Sequence, residues 1–336
     1  MTSSEIVKNS NIRNLKQTKI FVIIFTDKLG DTLLCNSLVQ NIKHIYTNSK
    51  VVGVINPELV DAVKYQYCMD EVILWDRKGT AKSLLGTLKF VKNFPYKNIY
   101  AIILNSPRDR NLILSRLIKS KYKIFAASSL LKKIFFQKIK YPIKSIKKDV
   151  VKVSEGVANL LSAITNNKII NYPIKFNVFN TNLKGFDILK PYIGKYIVFA
   201  PISAAIEKDI SLHIAEEFVS LMSDYKIVIL GSGNIIQEYS PVLSKYTNVI
   251  DLSNKTTIPE LAEILKNSRA SICVDSGIMH LSYAVETPTL CIFNNPYPIF
   301  EPDLELYNVQ ILYKPTSAEE IVVNVKNFIS GERILN

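Results

Sequence analysis

Residues Ser271–Phe293 read SICVDSGIMHLSYAVETPTLCIF. Ser271–Val274 suits a buried strand, and the chain then turns over Asp275-Ser276-Gly277 into a short helix holding Met279 and His280. A second β-rich run follows at Thr289–Phe293. Continuous apolar strands separated by a helix predict a parallel βαβ unit, whose strands are covered on both faces. The same alternation extends along the whole chain. Strands are expected at Ile20–Phe25, Val51–Ile55, Val72–Trp75, Ile99–Leu104 and Lys123–Ala126, then at Tyr196–Ala200, Lys226–Leu230, Val249–Asp251, Ser271–Val274 and Thr289–Phe293. Helical spacing falls near 32–46, 57–66, 80–93 and 108–119, then near 210–223, 234–246, 258–267, 277–286 and 317–330.

Two Rossmann-like α/β halves follow from this pattern. At 336 residues the chain has room for two domains of ordinary size. The pattern lapses between about Tyr172 and Lys195, where Pro and Gly interrupt it. The expected division is 1–184 and 185–336. Ligands of open α/β sheets bind beyond the carboxyl ends of the strands, so two such halves would share one cleft.

Composition narrows the function. The first seventeen residues are polar and resemble no signal peptide. Apolar runs are strand-sized, far short of the roughly 20 residues of a membrane span, so a cytoplasmic protein is expected. Cys35, Cys68, Cys273 and Cys291 are scattered through apolar segments and read as buried free thiols. Three histidines without ligand spacing predict no built-in transition metal.

Charge is unevenly spread: residues 1–184 hold 31 Lys and Arg against 11 Asp and Glu (+20), and residues 185–336 hold 11 against 18 (−7). Ten lysines and no acid lie between Lys119 and Lys148. That segment is either a solvated basic surface or a surface for an anionic partner, lipid headgroup or nucleic acid.

Several common motifs are absent. Gly231–Ile236 (GSGNII) keeps only two glycines of a dinucleotide fingerprint, there is no P-loop, and no Asp-x-Asp occurs. A phosphorylated ligand would then rely on lysines and on helix N-terminal N–H groups. Asp275, Ser276 and Gly277 open such a helix, with His280 one turn in; a helix cap and a core histidine are the plain alternatives. Lys208, on a loop after a strand, is able to reach a phosphate, although most lysines only solvate a surface. Glu238 suits either a ribose contact or an exposed helix position. Asp31 stands at the N-terminus of helix 32–46, whose Leu34, Leu38, Ile42 and Ile45 share one face. Spacing alone leaves cap and general base evenly matched there.

Taken in order, these segments resemble glycosyltransferase family 9, the ADP-heptose:lipopolysaccharide heptosyltransferases and their relatives. Thr26–Leu34 (TDKLGDTLL) is similar to the family's D-x-x-G-D-x-L-L segment. Lys208–Met222 matches its Lys-Trp-Pro helix start, and Ile229–Glu238 its Gly-Gly…Glu turn. Asn248–Phe293 carries the D-[ST]-G-x-x-H signature. The resemblance implies a GT-B fold and an inverting, metal-independent transfer with no cofactor. Asp31 would be the base, and Lys208 with the Ser276-Gly277 amides would stabilise the leaving diphosphate. Asp275 and His280 would hold the donor, Glu238 the ribose, Ser203 would lie near the phosphates and Thr256 near the adenine.

The chain also departs from the family pattern. Ile210-Ser211 stands for Trp-Pro, Ile202 for a glycine, Phe25 for an arginine, and Phe293-Asn294-Asn295-Pro296 for Phe-Gly-Pro-Thr. ADP-L-glycero-D-manno-heptose is the first expected donor, and another nucleotide sugar the second. The basic half is expected on the acceptor side, meeting an anionic lipid-linked glycan at the inner face of the inner membrane, with helix 317–330 packing back on it. A non-catalytic sugar-nucleotide or glycan-binding relative is the main alternative. A nucleic-acid partner is not expected, since no motif supports one.

Overall fold

The structure, a computed structural model, describes residues 18–25, 28–64, 69–105, 109–125, 139–140, 152–178, 183, 185–295 and 298–331. The first half runs β1 (Lys19–Ile24), α1 (Leu29–Leu34), α2 (Asn36–Ile45), β2 (Ser49–Ile55), α3 (Val60–Lys64), β3 (Glu71–Leu74), α4 (Leu84–Lys92), β4 (Ile99–Leu104), α5 (Asp109–Leu117), β5 (Ser120–Phe125), β6 (Ile139–Lys140) and α6 (Val153–Asn159). The second runs β7 (Ile197–Ala200), α7 (Leu212–Leu221), β8 (Ile227–Ile229), α8 (Ile236–Leu243), β9 (Val249–Asp251), α9 (Ile258–Lys266), β10 (Ala270–Val274), α10 (Gly277–Ala284), β11 (Thr289–Phe293), β12 (Val309–Tyr313) and α11 (Ala318–Ser330).

Each half forms one six-stranded sheet, ordered β3-β2-β1-β4-β5-β6 and β12-β11-β10-β7-β8-β9. Counted within its own half, the second order repeats the first. Neighbouring strands pair in parallel throughout, as in β1–β4 and β7–β10. This is the doubly wound order in which the chain reverses direction between the first and fourth strands, leaving a crevice at their carboxyl ends. Two Rossmann-like halves are therefore present, as the βαβ pattern predicted.

The run of apolar residues in each strand is explained by burial on both faces. Phe21 and Ile23 of β1 join one hydrophobic cluster, while Val22 and Ile24 join another on the opposite face. In β7, Ile197 and Phe199 divide from Val198 and Ala200 in the same way. Strand alternation thus sorts the side chains, and helices cover both layers.

Several elements, β6 among them, differ from expectation. The helix expected over 32–46 is two helices broken at Cys35. Thr32 Oγ1 donates to the Lys28 carbonyl one turn back (2.9 Å), a contact that bends helices, and the Cys35 N–H turns inward to Thr32 O (3.2 Å). α6 and β12 lack the periodicity that announces an element; β12 is an edge strand, largely half-buried. The last helix, expected against the first half, buries an apolar face in the second among the described residues. Its Ala318, Ile321, Val322 and Val325 are buried with Phe218 and Leu312 in the core of the second sheet. Much of the lysine-rich 119–148 segment, with Cys68, lies outside the described residues. Cys35, Cys273 and Cys291 are free and buried. No described helix is long and apolar enough to cross a membrane.

Between the sheets, residues 165–178 run without regular structure, and several of their backbone groups bond to side chains instead. Asn41 accepts from Ile170 N (2.9 Å) and donates to Ile170 O (2.8 Å) on the first half. On the second half, Ile174 N donates to the Tyr307 hydroxyl (2.6 Å) and Phe176 N to Ala284 O (3.0 Å). The crossover is therefore fastened to both halves.

Candidate active site

The two sheets face each other across a cleft of about 770 Å³, within the range of small-molecule sites. Its walls come from the loops after the strands flanking each switch point: Asp31 after β1, Asn105 at the end of β4, Ser203 and Lys208 after β7, and Asp275 with Ser276 after β10.

The halves touch through two helix starts. A Cβ on Gly30 of α1 would lie 2.5 Å from His280 Cδ2 of α10, and one on Gly277 would lie 3.0 Å from Leu29 Cβ. Gly277 thus admits the facing half of the protein. Gly30 was not singled out as a packing position, and the nearness of Gly30 to the aspartate was its only trace. Leu33 and Leu34 of α1 continue the contact into the core beneath the second sheet.

Asp31 is half-buried and lines the cleft. It does not cap the helix: Lys28 holds the N-cap position and Asp31 sits in the first turn. Its backbone carbonyl accepts from Asn105 Nδ2 (3.1 Å), which ties the carboxylate's base to the end of β4.

Lys208 ends a single 3₁₀ turn, Ile206–Lys208. Its Nζ lies 2.5 Å from Asp275 Oδ2 and 5.2 Å from the Phe300 ring centroid. Asp275 is 8% exposed, so this is a nearly buried ion pair, and loss of either partner strands the other charge.

The loop bearing Lys208 is closed at several points. Ile210 N donates to Pro201 O (2.9 Å), Ser203 N to Asp209 Oδ1 (2.6 Å), and Ser203 Oγ to Ala205 O (2.8 Å). Burial pushes the Asp209 carboxyl above the usual carboxylate range, partly offset by its bond from Ser203. Asn294, just beyond β11, donates to the carbonyls of Lys208 (3.2 Å) and Asp209 (2.7 Å). Two departures from the family pattern therefore meet in space. Asn294 holds the backbone beside Ile210-Ser211, while Ile210 is buried and Ser211 caps α7 through Ile214 N.

Ser276 occupies the N-cap position of α10, yet its side chain makes no capping bond. The Oγ is buried and has no hydrogen-bond partner among the described residues. A buried hydroxyl rarely stays unpaired, and this one lines the cleft beside Lys208. His280 is 6% exposed and bonded through Nδ1 to the Tyr283 hydroxyl. Burial lowers its pKa, with Asp275 and Asp31 pulling the other way, so the imidazole is neutral at pH 7. Thr256 also lines the cleft. Glu238 does not: it is exposed on α8 and absent from the cleft wall. Among the described residues no cluster of His, Cys, Asp or Glu is arranged to hold a metal ion.

The cleft thus joins a carboxylate from one half to a cation, an unpaired hydroxyl and a helix N-terminus from the other. Comparison with known proteins gives the family and the fold. The model of glycosyltransferase family 9 (heptosyltransferase) matches residues 134–323. Lipooligosaccharide heptosyltransferase 2 of Campylobacter jejuni subsp. jejuni is 24% identical over 282 residues, 82% of this chain and 80% of that protein. The crystal structure of a family 9 glycosyl transferase from Veillonella parvula superposes with a TM-score of 0.80 at 18% identity, covering 93% of this chain and 98% of that one. E. coli heptosyltransferase WaaC, solved with ADP, gives 0.73 at 16%, covering 92% and 99%. These structures share the fold of this chain.

Proposed function

Since the chain belongs to glycosyltransferase family 9, we propose that it moves a heptose from a nucleotide sugar, ADP-heptose first, to a lipopolysaccharide-type acceptor, with inversion and without a metal. The observation that carries this reading is the meeting of Asp31 with Lys208, Asp275 and Ser276 across one cleft.

In this mechanism the Asp31 carboxylate takes the proton of an acceptor hydroxyl as that oxygen attacks the anomeric carbon. The bond between that carbon and the diphosphate oxygen breaks on the opposite face, and the leaving group departs with its electron pair. Lys208 Nζ, the free N–H groups at the start of α10 and the Ser276 hydroxyl then meet the developing negative charge. Such a cation is the protein's counterpart of the metal used where Asp-x-Asp is present. Asp275 steadies Lys208, and neutral His280 keeps α1 and α10 in register. Residues 1–184 would form the acceptor side and 185–336 the donor side, with Ser203 near the phosphates and Thr256 near the base. Glu238, which does not line the cleft, is left without a role in this mechanism.

The test is transfer from ADP-, GDP- and UDP-sugars to truncated lipopolysaccharide, read by mass spectrometry with and without EDTA. The expected result is one preferred donor, a product of inverted anomeric configuration and no loss with chelator. Retention of configuration, or full loss restored by a divalent cation, would overturn the mechanism. Binding of nucleotide sugars with no transfer would favour a non-catalytic relative.

A further inference from the structure

On the first half, α4 turns an unusual face to solvent. Leu84, Leu85 and Leu88 are 64%, 78% and 42% exposed, although the opposite side of the helix, through Thr87, is buried. Lys89 and Lys92 fall on the same outward face at helical spacing, Lys82 precedes it, and the helix carries no acidic residue. α5 lies alongside and adds Ile113 at 44% and Leu117 at 37%, with Arg116 exposed between them. Arg110 at the start of α5 donates to Lys82 O (2.8 Å), so the two exposed faces adjoin. α4 follows the carboxyl end of β3 and α5 that of β4, where Asn105 lines the cleft. The most exposed leucines therefore stand at the cleft end of the sheet.

Leucines projecting between lysines match the chemistry of a bilayer interface: aliphatic side chains enter the acyl boundary while cations meet anionic headgroups. A nucleic-acid surface would call for aromatic stacking platforms, and the exposed apolar residues here are all aliphatic. We propose that the outward faces of α4 and α5 dock the protein on an anionic phospholipid membrane, with the cleft mouth turned toward it. The proposal rests on the transferase reading only for its purpose, since docking is measured without turnover.

The experiment sediments the full chain with vesicles of phosphatidylglycerol and phosphatidylethanolamine, and with phosphatidylcholine vesicles as control. Binding is expected to the anionic vesicles and to fall with salt. The Leu84→Ser/Leu85→Ser/Leu88→Ser variant is expected to bind them at least roughly tenfold more weakly. Lys82→Gln/Lys89→Gln/Lys92→Gln is expected to lose at least as much, together with part of the salt dependence. Both variants should keep wild-type circular dichroism and ADP affinity, since the changed side chains are exposed and outside the cleft.

Undiminished vesicle binding by the leucine variant, or no binding by the wild type, overturns the proposal. So does tighter binding to a single-stranded oligonucleotide than to vesicles. A dimer that the leucine variant dissolves, without lipid binding, would assign the face to a second copy and also overturn it. Retained docking by a protein that transfers no sugar would count against the transferase reading and leave the docking surface standing.

Discussion

Replacing Gly30 by alanine sets two effects of opposite sign against each other. Alanine is the better helix former by about 1 kcal/mol, so an open site would be stabilised. This site is closed: the new Cβ would lie 2.5 Å from His280 Cδ2 and 3.2 Å from Nε2. Ordinary contact begins near 3.4 Å, so the shortfall is 0.9 Å (3.4 − 2.5). His280 has little freedom to swing aside, being 6% exposed and bonded to Tyr283. Overpacking of this kind costs about 1–3 kcal/mol, which leaves a net loss of about 0–2 kcal/mol.

The larger effect falls on rate. Relief requires α1 and α10 to part by close to 1 Å, and α1 carries Asp31 while α10 begins beside Lys208 and Asp275. A misplacement of that size costs on the order of 10²-fold in turnover. Urea unfolding and initial rates at saturating donor should therefore show a modest stability loss with a severe loss of kcat. Adding His280→Ala should relieve the clash, giving a coupling of about 1 kcal/mol or more between the two positions. A Gly30→Ala enzyme with wild-type rate and raised stability would refute the packing of the two halves described here.

Three further outcomes follow from the cleft. Ser276→Ala should leave unfolding free energy within about 0.5 kcal/mol of wild type, because its hydroxyl has no partner among the described residues, while ADP affinity measured by calorimetry falls several-fold. A stability loss on the order of 1 kcal/mol with unchanged ADP binding would show a cap instead. Asn294→Ala removes two bonds to the Lys208 loop, so stability should drop by about 1–2 kcal/mol and donor KM should rise; an unchanged KM would dismiss the tether. His280 has its folded pKa lowered, chiefly by burial, from an unfolded value near 6.5. Below that value the unfolded chain binds more protons, so its contribution favours unfolding as pH falls. Unfolding midpoints from pH 7.5 to 5.5 should decline, with a shallower slope in His280→Gln.

The fold was legible because burial on both faces writes itself into continuous apolar strands. Phe21 and Val22, or Val198 and Phe199, needed no other signal. Edge and crossover elements carry weaker signals, so β12 and α6 passed unseen. The break at Cys35 was hidden for another reason: Thr32 bends the helix by a side-chain bond that leaves the apolar spacing intact. In the site, Lys208, Asp275 and Ser276 were readable from strand-to-helix turns. Their partners were not, since Asn294 holds the Lys208 loop and Gly30 packs on His280 from distant parts of the chain. Asp31 was recognised as a cap or a base; the structure removes the cap, because the helix starts before it.

The central claim, that Asp31 takes the acceptor's proton, is tested most directly by Asp31→Asn. The amide keeps shape and cannot accept the proton, and positioned bases contribute about 10²–10⁴-fold. Single-turnover transfer to truncated lipopolysaccharide should fall by that factor while ADP binding stays within about twofold of wild type. Transfer at the wild-type rate in this variant would contradict the account.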